Sequence, residues 1–135
     1  MKVYVFGNED LQEDSAAIKT AEKFTGQKDL EFVFVKPNED LPFVNEEKVV
    51  IMDVVAGVDK VQVIGDNELN KLVLPPRNSV HDFDLGFQLK YLKKLGKLGE
   101  VKIIGLPMGK KLTEKDYRLI HSIFKKLVAQ DMQGS

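Results

Sequence analysis

The chain has 135 residues, with 20 Lys and Arg against 21 Asp and Glu, 43% hydrophobic and 8% aromatic; that suits one domain, 1–135, with its own core. No apolar run approaches the roughly 18 residues of a membrane helix, and Met1-Lys2-Val3-Tyr4-Val5-Phe6 lacks a signal peptide's long apolar stretch. The absence of cysteine excludes disulfides, thiolate zinc or iron–sulfur sites and a cysteine nucleophile, so a soluble cytoplasmic domain is expected.

In chain order, Val3 to Phe6 is a short apolar run ending at Gly7-Asn8, which suits a buried first strand. Ser15 to Phe24 has helical spacing: Ala17, Ile18, Ala21 and Phe24 share a face, and Gly26 is placed to end it. Leu30 to Val35 forms a second strand, stopped by Lys36-Pro37-Asn38. Val49 to Val55 is the most apolar run, as expected of a central parallel strand buried on both faces, with Asp53 at its end. Val61 to Ile64 alternates into another strand.

Leu85 to Leu95 then predicts a helix, with Asp84 as N-cap and Gly96 as stop. Val101 to Ile104 is a last strand, broken at Gly105-Leu106-Pro107. The final helix opens with Thr113 and Asp116 spaced as a capping box, and Ile120, Ile123, Phe124 and Leu127 follow on one face. Strands separated by helices, with right-handed crossovers, predict a three-layer α/β sandwich around a mostly parallel sheet of about five strands.

The charge is unevenly divided. Residues 1–84 carry 9 basic and 17 acidic side chains, whereas residues 85–135 carry 11 and 4. An acidic half attracts cations and a basic half suits acidic partners, although such lysines are more simply read as covering solvated helix faces. Only Arg77 and Arg118 are arginine, which speaks against nucleic acid, since arginine forks dominate phosphate and base recognition.

Open parallel sheets bind ligands beyond the carboxyl ends of their strands. Reactive side chains cluster after three predicted strands: Glu9, Asp10, Glu13 and Asp14, then Asp53, then Ser79, His81, Asp82 and Asp84. Singly, each has a bland reading. Asp53 caps a turn, Asp14 caps a helix, and His81 is a bystander near a helix start. His121, within the last helix, belongs at the surface. Together, Asp14, Asp53 and His81 make an O,O,N set suited to a divalent transition metal with open positions, nickel, zinc or cobalt. A Ser79, His81 and Asp53 triad is disfavoured, because residues two apart rarely activate one another. The chain has no G-x-S-x-G elbow, H-E-x-x-H, Walker loop or G-x-G-x-x-G.

Gly7-Asn8, Leu11 and the acidic pair Glu13-Asp14 resemble the start of the hydrogenase maturation endopeptidases. The apolar strand with Asp53, the segment Ser79-Val80-His81-Asp82-Phe83-Asp84-Leu85 and Ile103-Ile104-Gly105-Leu106-Pro107 match later family motifs in order and spacing. The likeness is strongest to a short archaeal branch. It implies an α/β protease that removes a C-terminal extension from a nickel–iron hydrogenase large-subunit precursor after nickel insertion. By motif, the nickel-sensing ligands fall on Asp14, Asp53 and His81, which also form the implied catalytic set. The substrate's nickel completes the site; no permanently bound cofactor is expected, and a monomer is. Two features depart from the family: Glu13-Asp14-Ser15-Ala16-Ala17 lacks its glycines, and Lys36-Pro37-Asn38-Glu39-Asp40 replaces an Asp-Gly-rich turn.

Two other readings stand beside it. A catalytically inactive relative would bind a hydrogenase subunit as a chaperone. A receiver-like domain would use Glu9-Asp10 for magnesium, Asp53 as phosphoacceptor and Lys110 after the last strand.

Overall fold

The computed structural model describes residues 1–7, 15–36, 40–55, 57–71 and 85–133. Five strands, β1 (Lys2–Phe6), β2 (Glu31–Val35), β3 (Lys48–Val55), β4 (Gln62–Gly65) and β5 (Glu100–Pro107), form one sheet in the order β2-β1-β3-β5-β4. All neighbouring pairs are parallel except β4 with β5, which is antiparallel. The helices are α1 (Ala16–Phe24), α2 (Leu85–Lys94) and α3 (Glu114–Gln133), and a 3₁₀ helix spans Asp66–Lys71. The α/β sandwich with a mostly parallel sheet is as expected.

Side-chain alternation divides the core into two layers. On one face, Val3, Val5, Met52, Val54, Ile104 and Leu106 pack beneath α1 and α3. There Phe124 meets Phe24 and Phe32 edge-on, with ring centroids 5.3 and 5.7 Å away. On the other face, Tyr4, Phe6, Ile51, Ile103 and their neighbours pack against Phe43, Leu69 and Leu89. β3 and β5 are sandwiched between these layers, which is why both read as nearly continuous apolar runs. The capping box forms as spaced: Asp116 Oδ2 accepts the Thr113 N–H at 2.8 Å, and Thr113 Oγ1 accepts the Asp116 N–H at 3.3 Å.

Two elements differ from expectation. Gly105-Leu106-Pro107 does not break the last strand; these residues continue β5, in register with Asp53, Val54 and Val55. Pairing with β4 already ends at Gly105, so Pro107 sits where β5 has lost one neighbour, and its missing N–H is tolerated there. The 3₁₀ helix has no counterpart in the periodicity, because its DNELNK sequence carries one leucine.

The amino edge of the sheet is closed by a backbone clamp. Gly99 N–H donates to the Glu46 carbonyl at 3.2 Å and Glu100 N–H to that of Glu47 at 2.8 Å. A Cβ on Gly99 would lie 2.1 Å from the Glu47 oxygen, so only glycine permits this approach. Gly99→Ala should therefore lower stability by about 1–3 kcal/mol, the cost of forcing a backbone shift. Urea unfolding checks this, and an unchanged midpoint would contradict the clamp.

The adjoining loop is held by Tyr4, a buried ring whose hydroxyl donates to the Glu46 carboxylate, with oxygens at 2.7 and 2.9 Å. Burial, then the hydrogen bond and charge of Glu46, push the Tyr4 pKa from 10.0 up to about 12. In the unfolded chain the phenol ionises first, so this stabilisation is complete below pH 10 and is lost as pH rises towards 12. Tyr4→Phe should flatten that alkaline loss, measured by urea titrations across the window.

Candidate active site

Four strands, β1, β2, β3 and β5, run parallel and end on the same edge of the sheet. From β1 the chain crosses through α1 to β2, on one side. From β3 it proceeds through β4, the 3₁₀ helix and α2 to β5, on the other side. Right-handed crossovers running in opposite directions lie on opposite faces, as the two core layers show. In open α/β sheets ligands bind where the strand order reverses in this way, at the carboxyl ends, here those of β1 and β3.

Asp53 is in β3 at this reversal. β1 pairs with β3 only at Tyr4↔Ile51 and Val5↔Met52, so Asp53 is the next residue beyond the pairing. It does not terminate the strand as expected: Val54 and Val55 follow it in β3, still paired with Leu106 and Pro107 of β5. Alternation puts its side chain on the face of Ile51 and Val55, which α2 covers through Leu89. The carboxylate is 9% exposed, and its Oδ1 accepts the Val54 N–H at 2.8 Å. Its neighbour across the β3–β5 pairing is Gly105, which places no side chain beside it.

Asp14 and His81 lie outside the described residues, as do Glu9, Asp10, Glu13 and Ser79. The nearest described residues locate the ends of their segments. Asp14 precedes Ser15, the N-cap of α1, and His81 precedes the start of α2 at Leu85 by four residues. Four residues of chain reach at most about 14 Å. α1 joins the parallel strands β1 and β2 and so begins near their carboxyl edge, and α2, whose last turn meets Asp66 at the amino end of β5, begins on the carboxyl side of that contact. Among the described residues, no three acidic or imidazole side chains gather as a metal site. His121 is exposed on α3, stacked on Phe24 with centroids 6.0 Å apart, in keeping with a surface position.

Ser15 bears on the missing family glycines. It is 3% exposed with φ −91° and ψ −7°, ordinary right-handed values that need no glycine. Ala17 is fully buried inside α1, where a small side chain is what the packing requires. The substitutions at 15 and 17 therefore impose no strained backbone.

The receiver-like arrangement is not supported by the topology. In that fold the sheet order is 2-1-3-4-5, whereas here β5 is inserted between β3 and an antiparallel β4. Lys110, its required cation, donates instead to the Asp59 carbonyl at 3.2 Å.

One positioning residue escaped the sequence reading. Asp66, first in the 3₁₀ helix, accepts the Val101 N–H of β5 at 2.9 Å and pairs with Lys93 of α2 at 3.2 Å, through the same Oδ1. It ties the helix that follows the His81 segment to the sheet. The available signal was an Asp directly after a strand-ending glycine, Gly65.

No protein-family model and no curated protein matches this chain. Solved structures do. The hydrogenase maturating endopeptidase HybD from E. coli aligns over 99% of this chain and 94% of its own, with TM-score 0.65 and 15% identity. A hydrogenase 3 maturation protease aligns over 93% and 87%, with TM-score 0.56 and 16% identity. A hydrogenase 2 maturation peptidase from a Thaumarchaeota archaeon aligns over 96% and 97%, with TM-score 0.52 and 19% identity. The chain thus has the fold of the hydrogenase maturation endopeptidases, as the motif resemblance implied.

Asp66→Ala should cost about 1–3 kcal/mol, because the Val101 N–H loses its acceptor and Lys93 its counter-charge. Denaturant titration measures it; a loss near zero would mean that α2 is held by apolar packing alone.

Proposed function

We propose that this chain is a cytoplasmic endopeptidase that removes the C-terminal extension of a nickel–iron hydrogenase large-subunit precursor once nickel has been inserted. The observation that carries this reading is the position of Asp53. A buried carboxylate stands at the strand reversal of a fold shared, nearly end to end, with endopeptidases of that description.

In this reading Asp14, Asp53 and His81 grip the nickel that the substrate brings, which suits two oxygen donors and one imidazole. The metal belongs to the substrate, so the protease recognises a filled precursor and ignores an empty one. A shared dication polarises the scissile carbonyl or activates water, and a carboxylate of the site takes the proton. Asp53 is preorganised for such a role: its Oδ1 is held by the Val54 N–H, and its burial strengthens any charge interaction made there.

The test is incubation of the purified chain with nickel-loaded and nickel-free precursor, read by intact-mass spectrometry. The loaded precursor should lose its extension and the empty one should remain whole. Asp53→Asn keeps an acceptor for the Val54 N–H and should fold with an unchanged thermal midpoint. Its processing rate should nevertheless fall by at least about 100-fold, the scale of losing one group in acid–base catalysis. Asp14→Ala and His81→Ala should behave alike. Processing that survives in all three variants defeats the assignment. A stable complex with an uncut extension would favour the chaperone instead.

A further inference from the structure

Between α2 and the 3₁₀ helix lies a groove of about 660 Å³ that Asp53 does not line. Its volume falls within the roughly 300–1,000 Å³ of ligand-binding clefts. Leu69 and Asp66 line one side; Lys90, Tyr91, Lys93 and Lys94 line the other.

The charge on this wall is lopsided. The ten residues of α2, LGFQLKYLKK, include three lysines and no acid. By contrast α3 mixes its lysines with Glu114, Asp116 and Asp131. Among the described residues Lys93 has a carboxylate within reach, Asp66 at 3.2 Å, while Lys90 and Lys94 form no ion pair. Those two stand four apart on the helix, where like charges repel. Lys97 extends the cationic row beyond the helix end. Tyr91, 53% exposed, adds a broad apolar surface among these cations. A concave wall of one sign concentrates field and attracts its opposite.

We propose that this groove docks an acidic segment of the hydrogenase large-subunit precursor, an inference that rests on the endopeptidase reading. Lysines that form no ion pair among the described residues define the partner's charge, and the groove's volume and exposed ring suit a peptide more than a lone ion. Nucleic acid fits less well, because the wall contains no arginine fork. The groove adjoins the amino end of β5, where Asp66 accepts the Val101 N–H, and not the carboxyl edge where Asp53 lies. A precursor that spans α2, about 15 Å long, would contact both.

The experiment measures equilibrium binding of purified nickel-loaded precursor to the full chain, by biolayer interferometry at low and high salt. Wild type should bind more tightly at low salt. Lys90→Glu combined with Lys94→Glu should weaken binding about tenfold and remove most of the salt dependence. Its thermal midpoint should stay within a few degrees of that of wild type, since i,i+4 repulsion between these positions is already present in the native helix and only the favourable charge of Lys94 at the helix end is lost. Unchanged affinity in the double variant overturns the proposal, as does a wild type that fails to bind the precursor. Displacement of the precursor by a single-stranded oligonucleotide at equal concentration also overturns it. The two readings fail separately: a precursor bound through these lysines but never cut defeats the endopeptidase and leaves the groove standing. Cleavage by the double variant with an unchanged KM does the reverse.

Discussion

β1 and β3 lie side by side in the sheet, yet the chain leaves them in opposite directions. Right-handed crossovers cannot do this on one face, so α1 covers one side of the sheet and α2 the other. Asp53 stands in β3 at this reversal, where open sheets bind their ligands. At the opposite edge the chain is closed by hydrogen bonds: the Gly99 clamp and the Tyr4–Glu46 pair hold the loop that carries Phe43 into the core.

Asp53 is costly for a strand of this kind. Its neighbours Ile51, Met52, Val54 and Val55 are all buried and apolar, and a buried carboxylate loses several kcal/mol of hydration unless compensated. A backbone N–H donor offsets part of that loss. An apolar residue at the same position would incur no such penalty. A charge in the most apolar strand is therefore informative about chemistry in a way that a surface carboxylate is not.

Much of this architecture was legible from the chain because the relevant signals are local. Val49 to Val55 announces a doubly covered strand, Thr113 and Asp116 announce a helix start, and Ala17, Ala21 and Phe24 announce a packed face. Gly105-Leu106-Pro107 misled, since its turn-like composition is outweighed by pairing with β3, a contact about 50 residues distant that no local pattern encodes. The antiparallel direction of β4 and the Asp66 tie were hidden for the same reason, both being set by partners far along the chain. For the site, residue types and order were visible, and the strand bearing Asp53 is where the apolar pattern put it. Asp14 and His81 are legible as motif positions, and their segments lead into α1 and α2.

The uneven charge along the chain acquires a spatial meaning from the fold. The acidic first part supplies Asp53 and the carboxylate-rich loop after β1, while the basic second part supplies the lysine wall of α2. The proposed precursor, bearing a dication and an acidic segment, would be attracted at both places, and the two pulls would oppose any reversed approach, in which like charges meet. A net charge near zero thus conceals two sequence halves of opposite sign. Such a division would orient that partner at long range, before contact is made.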